Sequence, residues 1–362
     1  MPDGLEVCCL RLLFELSGEH PELPAAEAEA LALTANPSWV TLVREPGVLV
    51  LGFPEGTSYP CSRLAYSHAV HKHLFSCAIS ELKECLARAL ETGLPELHGG
   101  ETVAVRVRRA KGTKLVVRAP EMERDLGELL RSRYRIRLVA PDLSLRVLLS
   151  TSAHVGTTVW EQAKEPLRKR RAQHRSFFSP ISLPPKLARA MVNLAAVAPG
   201  STVLDPFCGT GGILLEAGEM GMRLIGGDLD PRMVEGCRRN LAQFGLGALR
   251  LQNADVGELG DLLRGERVDA VVTDPPYGRA SSTRGEGLRE VYSRLFKVSE
   301  ELLAPGGRLV LSLPDPSLAQ TRRGLRLLHQ FRYPVHKSLT RHLLVFERCC
   351  RTNRPDTENA HD

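Results

Sequence analysis

The sequence predicts an α/β protein: a doubly wound, mostly parallel sheet in the C-terminal half, preceded by a mixed α+β region. Three observations carry this. After Pro180, apolar strand-length runs alternate with helix-length amphipathic runs, the pattern of parallel strands joined by helical crossovers. Before Pro180, short strand and helix patterns follow one another without that regularity. The length, 362 residues with 43% hydrophobic, is enough for two or three domains, at roughly 150 residues each, with separate cores.

The elements follow in order. Leu5–Leu16 is largely apolar and strand-like, Pro21–Ala35 is rich in Ala and Glu and helical, and Trp39–Val43 and Val48–Gly52 read as strands around a Pro46-Gly47 turn. Ser62–Cys77 and Ile79–Thr92 read as helices, the second stopped by Gly93. On such a helix His68 and His71 would share a face and His73 would not. No Cys or carboxylate completes a ligand set, so no metal is expected there. Val103, Val105 and Val107 then alternate with Ala104, Arg106 and Arg108, as in a strand. Pro120 opens a helix with Met122, Leu126, Leu129 and Leu130 on one side. Arg131, Arg133, Arg135 and Arg137 recur at every second position, so an extended segment would line four guanidinium groups along one face. Their mutual repulsion favours a polyanionic partner, RNA or DNA. Leu143, Leu145, Val147 and Leu149 form the next alternating strand, and Glu161–Ser176, containing Arg168-Lys169-Arg170-Arg171, is a polar connector. That basic run could be a localisation signal, but it reads better as a plain linker or a phosphate-contacting hinge.

In the second half Pro184 and Pro185 open a helix with Leu187, Met191 and Leu194 inward. The strands are Thr202–Phe207, Arg223–Asp228, Ala248–Asn253, Val268–Asp274, Arg308–Leu313, and a final pair, Phe331–Leu339 and Arg341–Arg348. A helix near Ser317–His329 precedes that pair, whose tight join predicts an antiparallel ending.

Charge supports a nucleic-acid partner. The net charge is +6, but residues 1–100 carry 13 acidic and 6 basic side chains, whereas residues 101–175 carry 18 basic and 8 acidic. A basic middle segment is an electrostatic footprint for a polyanion. Nine cysteines without a C-x-x-C pair suggest neither a disulfide framework nor structural zinc. No run approaches the ~18 apolar residues of a membrane span, and Glu6, Arg11 and Glu15 interrupt the first sixteen residues. A soluble, cytoplasmic protein is expected.

Two motifs carry chemistry. Asp205-Pro206-Phe207-Cys208-Gly209-Thr210-Gly211-Gly212 joins the first strand to a helix, at the carboxyl end where doubly wound sheets bind ligands. Its spacing departs from G-x-G-x-x-G, which lowers a nicotinamide dinucleotide relative to S-adenosylmethionine. Asp228, 23 positions on at the end of the second strand, could bind ribose hydroxyls of either. Asp255, after the third, is placed for an adenine amino group. Asp274-Pro275-Pro276-Tyr277-Gly278 ends the fourth strand. An exocyclic amine on a purine is a poor nucleophile, because its lone pair is delocalised into the ring. The Asp274 carboxylate and the Pro275 carbonyl can accept its hydrogens, the two prolines fix the backbone, and Tyr277 offers a π-face to an unstacked base. Cys208 is not a candidate nucleophile; a packed position behind the glycines suits it better.

These two motifs resemble those of class I S-adenosylmethionine-dependent methyltransferases that modify exocyclic amines. Ser176–Pro180, Pro185–Ala195 and Gly226–Gly236 are similar to the archaeal tRNA guanosine-10 N2-methyltransferases. The resemblance implies a Rossmann-like seven-stranded sheet with its last strand antiparallel, behind a ferredoxin-like domain and a THUMP RNA-binding domain. The expected boundaries are 1–78, 79–160, a basic linker 161–179, the methyltransferase domain 180–349 and a disordered tail 350–362. It implies S-adenosyl-L-methionine as cofactor, with Asp205 and Gly209 at its methionine end, Gly211 also in the binding loop, Asp228 at the ribose, Asp255 at the adenine and Phe178 closing over it. Asp274, Pro275 and Tyr277 would form the target-amine site, and Arg131, Arg133, Arg135 and Arg137 would contact tRNA. Ser179 departs from the His or Arg expected there. Some relatives act with a small zinc-binding activator subunit and others alone. Base identity is not encoded in D-P-P-Y, so N6-adenine methylation, another tRNA position, rRNA or DNA stay open, as does a non-catalytic RNA-binding protein with a decayed domain.

Overall fold

The computed structural model describes residues 10–93, 101–179, 182–277, 287–320, 322–336 and 339–349. The chain forms two compact units, residues 1–165 and 166–362. Gly278 and the tail 350–362 lie outside the described residues, as does Leu5 of the first expected strand.

The first unit contains β1 (Leu10–Leu16), α1 (Leu23–Ala35), β2 (Val40–Glu45), β3 (Val48–Phe53), β4 (Ser67–Cys77), α2 (Leu82–Thr92), β5 (Thr102–Arg109), α3 (Ala119–Leu130), β6 (Arg135–Ile136), β7 (Leu143–Leu149) and β8 (Ala153–Glu161). They build one eight-stranded sheet in the order β2-β3-β1-β4-β8-β7-β5-β6. The segments expected as two domains, 1–78 and 79–160, are therefore joined through the β4–β8 pair. Two apolar clusters lie along this sheet. One packs Leu31 and Ala28 of α1 on Phe14, Leu49 and Val70, the other packs α2 and α3 on Val103, Val105, Val147 and Val155. The turn between β2 and β3 demands glycine. Gly47 has φ +72°, and a Cβ there would lie 2.4 Å from the Lys111 carbonyl oxygen.

Two expectations fail in this unit. Ser62–Cys77 is not a helix; a single turn, Cys61–Arg63, leads into β4. β4 pairs with β1 on one side and β8 on the other, and this pairing outweighs its weak helical pattern. The histidines consequently sit on a strand. His71 is fully buried against Thr158, and the described residues contain no metal-holding cluster. Nor do the four arginines line one strand face. Leu130 and Tyr134, four apart, are both buried and joined by a 2.9 Å backbone hydrogen bond. That turn curls Arg131–Arg133 off the end of α3, and only Arg135–Ile136 is extended. All four side chains are nonetheless exposed.

In the second unit, α4 (Lys164–Lys169), which runs through the boundary, is followed by α5 (Pro185–Leu194), β9 (Thr202–Asp205), α6 (Gly212–Glu219), β10 (Arg223–Asp228), α7 (Pro231–Gln243), β11 (Arg250–Asn253), α8 (Leu259–Leu262), β12 (Val268–Thr273), α9 (Leu288–Leu302), β13 (Leu303–Leu313), β14 (Leu325–His336) and β15 (Leu339–Arg348). The seven-stranded order is β11-β10-β9-β12-β13-β15-β14. All pairs from β11 to β13 are parallel, and β15 is antiparallel to both neighbours. The expected helix over Ser317–His329 is instead one turn, Pro316–Leu318, and the start of β14. Pairing with β15 along nearly its whole length extends β14 back to Leu325. One apolar cluster holds α8 and α9 on the sheet through Leu259, Tyr292, Leu295 and Phe296.

The polar connector is also built in. Arg170 is 3% exposed; its guanidinium donates to Glu216 at 2.7 and 3.0 Å and to Glu219 at 3.0 Å. Arg189 of α5 bonds the same Glu216 carboxylate at 2.9 Å. The basic run is thus partly an internal strut rather than a solvated linker.

Candidate active site

The order of the parallel strands changes direction beside β9, and the two motifs meet there. β9 ends at Asp205 and β12 at Thr273, one residue before Asp274. Asp205 is 1% exposed and turned inward. Its Oδ1 accepts from the Thr273 hydroxyl at 2.7 Å and the Phe207 amide at 3.2 Å. Burial, with the nearby Asp228 and Asp274 carboxyls adding to it, pushes its carboxyl up to about 7.

The glycine loop hangs from this anchor. Gly209 (φ +50°) and Gly211 (φ +83°) adopt left-handed backbone, and a Cβ on Gly209 would meet nothing within 4 Å. Gly211 is closed on its other side, where a Cβ would lie 2.7 Å from Cys237 Sγ. Asp228, at the end of β10, accepts from the Gly209 amide at 2.9 Å and the Asp230 amide at 2.9 Å. Burial holds its carboxyl above the usual range. Cys208 is buried; its hydrogen bond to Cys237 and its burial push the thiol pKa far up. It is a thiol rather than a thiolate, as a packing role requires.

Asp255 stands slightly apart. Its Oδ1 accepts from the Gly257 amide at 2.8 Å, and Arg294 of α9 pairs with it at 3.0 Å. Phe178 is 58% exposed, but the residues before it are sewn down. The Phe177 amide donates to Asn240 Oδ1 at 2.8 Å, and the Asn240 Nδ2 donates to the Phe177 and Thr210 carbonyls, both at 2.9 Å. Phe177 lies on Gly236, where a Cβ would fall 2.4 Å from its ring. Fully buried Asn240 of α7 therefore couples the 176–178 segment to the glycine loop. Sequence reasoning missed it; a single Asn inside an amphipathic helix gives no signal of its own.

At the end of β12, Tyr277 turns its hydroxyl back onto Asp274, donating to Oδ1 at 2.6 Å, and shares a 2.5 Å hydrogen bond with Ser312 of β13. Arg341 of β15 donates Nε–H to the Tyr277 oxygen at 3.0 Å, and its NH2 lies 3.5 Å from Asp274 Oδ2. The same guanidinium sits 5.6 Å from the Tyr277 ring centroid. Burial raises the Asp274 carboxyl, opposed first by Arg341 and then by hydrogen bonds from Tyr277 and Ser312. Ser312 and Arg341 were not legible from the sequence. Arg131, Arg133, Arg135 and Arg137 all belong to the other unit.

A seven-stranded sheet of this order, with a glycine loop after its first strand, an acid ending the second and D-P-P-Y ending the fourth, defines a class I S-adenosylmethionine-dependent methyltransferase. The RMKL-like methyltransferase domain family matches residues 172–335. A tRNA (guanine(10)-N2)-dimethyltransferase of Methanothermobacter thermautotrophicus is 35% identical over 94% of this chain and 100% of its own length. One from Pyrococcus abyssi is 31% identical over 92% and 98%. The crystal structure of TrmN from Thermus thermophilus superposes with a TM-score of 0.53 at 26% identity, covering 93% of this chain and 99% of that one. The chain belongs to the tRNA (guanine(10)-N2)-dimethyltransferase family.

Proposed function

We propose that this protein transfers one or two methyl groups from S-adenosyl-L-methionine to the exocyclic N2 of guanosine 10 in tRNA. The observation that carries the reading is Asp274-Pro275-Pro276-Tyr277 at the carboxyl end of β12, beside the glycine loop of β9. The loop fits the cofactor: the space beside Gly209 is open, and Asp228 is an acceptor suited to ribose hydroxyls. Gly209 and Gly211 would face the methionine end, with Asp205 fixing the loop from within. Asp255 would take the adenine amine, and Phe178 would close over the site. When bound, the cofactor supplies an electrophilic methyl group.

The residues of the chain do the rest. Asp274 and the Pro275 carbonyl accept the hydrogens of the target amine, which localises its lone pair and aims it at the methyl group. Tyr277, with one ring face toward Arg341, offers the other to the flipped base. Residues 1–78 and 79–160 act as ferredoxin-like and THUMP domains that grip the tRNA, with Arg131, Arg133, Arg135 and Arg137 on phosphates. The same reading places the protein in the cytoplasm.

The test is transfer of labelled methyl from S-adenosylmethionine to unmodified tRNA, followed by digestion to nucleosides. Label in N2-methylguanosine or N2,N2-dimethylguanosine is expected; label in methyladenosine would sink the guanine assignment. Running the purified chain alone first decides whether it needs the small zinc-binding activator subunit that some relatives use.

A further inference from the structure

Arg341 lies 67 residues downstream of Asp274 and on a different strand, yet its guanidinium spans Asp274 and Tyr277 together. We propose that Arg341 is a positioning residue that presents Asp274 as an acceptor-only carboxylate, the form complementary to the donor–donor edge of guanine. This deepens the proposed function and rests on it for the identity of the base.

Guanine offers N1–H and N2–H side by side, both donors. Adenine offers an N6–H beside N1, which is an acceptor. An ionised carboxylate only accepts, whereas a protonated one also donates. Ionised Asp274 can therefore take both guanine hydrogens but faces the adenine N1 lone pair without a proton between them. Protonated Asp274 would match adenine better and would be a weaker acceptor for the guanine amine. The charge state of this one carboxyl thus bears on both rate and base choice.

The surroundings make Arg341 decisive for that charge. It is itself 9% exposed, so its field is poorly screened. The titratable groups whose interaction with Asp274 is strongest include Tyr277 on its own loop, Tyr292 on α9, Asp205 on β9 and Arg341 on β15. Burial holds both tyrosines well above the usual phenol range, so they stay neutral. Asp205, when ionised, works against a charged Asp274. Arg341 is the cation of the set. The hydroxyl bridge adds geometry: Arg341 Nε and Ser312 hold the Tyr277 oxygen, and Tyr277 in turn orients Asp274 Oδ1.

The test compares the wild-type chain with Arg341→Gln and Arg341→Lys. Carbon-13 NMR of aspartate carboxyls, with the Asp274 signal assigned by its loss in Asp274→Asn, reads the charge without turnover. Its midpoint should rise by about one pH unit or more in Arg341→Gln and stay near wild type in Arg341→Lys. The acid limb of the single-turnover rate should move with it, giving a loss of roughly tenfold or more below the shifted midpoint that recovers at higher pH. Asp205 contributes equally to the chains compared, so the difference isolates Arg341. An unmoved midpoint, or a rate lowered by the same factor at every pH, would overturn the proposal. A shifted midpoint in a chain that methylates no guanine would leave the Arg341–Asp274 assignment standing and remove the proposed function instead.

Discussion

Asp205 shows how a single buried carboxyl can make the stability of a loop depend on pH. Its folded value of about 7 lies above the ordinary 3.8, so between those values the folded chain keeps a proton that the unfolded chain has released. The contribution of Asp205 to stability falls as pH rises through that window. The thermal midpoint of Asp205→Asn, which can still accept from Thr273 and Phe207, should therefore rise relative to that of the wild type between about pH 4 and 7, whatever slope the other titrating groups impose on both chains. Equal slopes in both chains would contradict the assignment. Gly211→Ala strains a left-handed position and drives a methyl into Cys237. It should destabilise the domain by about 1–3 kcal/mol and weaken cofactor binding, both readable by calorimetry. Asp274→Ala should abolish transfer while tRNA affinity changes little, because the proposed function puts the phosphate contacts on other residues; full activity in that variant would remove Asp274 from the mechanism.

Among the elements, those that read well in the sequence are the ones whose environment is uniform. β9, β10, β12 and β13 are buried parallel strands, so their apolar runs and the glycine or proline after them sufficed to place both motifs. β4 and the first residues of β14, Leu325–His329, read as helix in the sequence because partner strands, distant in the chain, decide their state. β4 carries three histidines, and β14 shows an irregular Leu325-Arg326-Leu327-Leu328-His329 start. The arginine stripe failed for a local reason, since burial of Leu130 and Tyr134 keeps the chain turning where period two suggested extension. Long-range polar partners were the least legible. Asn240, Ser312 and Arg341 enter the site through tertiary contact alone, and Arg170 finds Glu216 46 residues away. That ion-pair cluster should matter to the domain. Glu216 is fully buried between Arg170 and Arg189, so Glu216→Gln leaves two largely buried cations short of charge. A loss of about 3–5 kcal/mol in chemical denaturation is expected; a loss below about 1 kcal/mol would show that the cluster is solvated.

For the whole molecule, the formal charge of +6 conceals the division of labour in the proposed function. The basic segment, residues 101–175, falls mostly in the unit that carries no D-P-P-Y, and Arg131, Arg133, Arg135 and Arg137 within it are exposed without forming a single stripe. If they grip phosphates, tRNA affinity should fall steeply with salt, roughly 0.7–0.9 log units per log unit of salt for each neutralised phosphate. Replacing Arg131, Arg133, Arg135 and Arg137 together should lower both affinity and that slope, measured by filter binding; an unchanged slope would move the grip elsewhere. Transfer to N2 of guanosine 10 is tested by exchanging the target base. Purified protein and S-adenosylmethionine are incubated with an unmodified tRNA transcript and with the same transcript carrying adenosine at position 10, and the products are mapped by nuclease digestion and mass spectrometry. One or two added methyl groups on guanosine 10 and none on the substituted transcript are expected; methylation of the substituted transcript, or of any other nucleotide in place of guanosine 10, would contradict the proposed function.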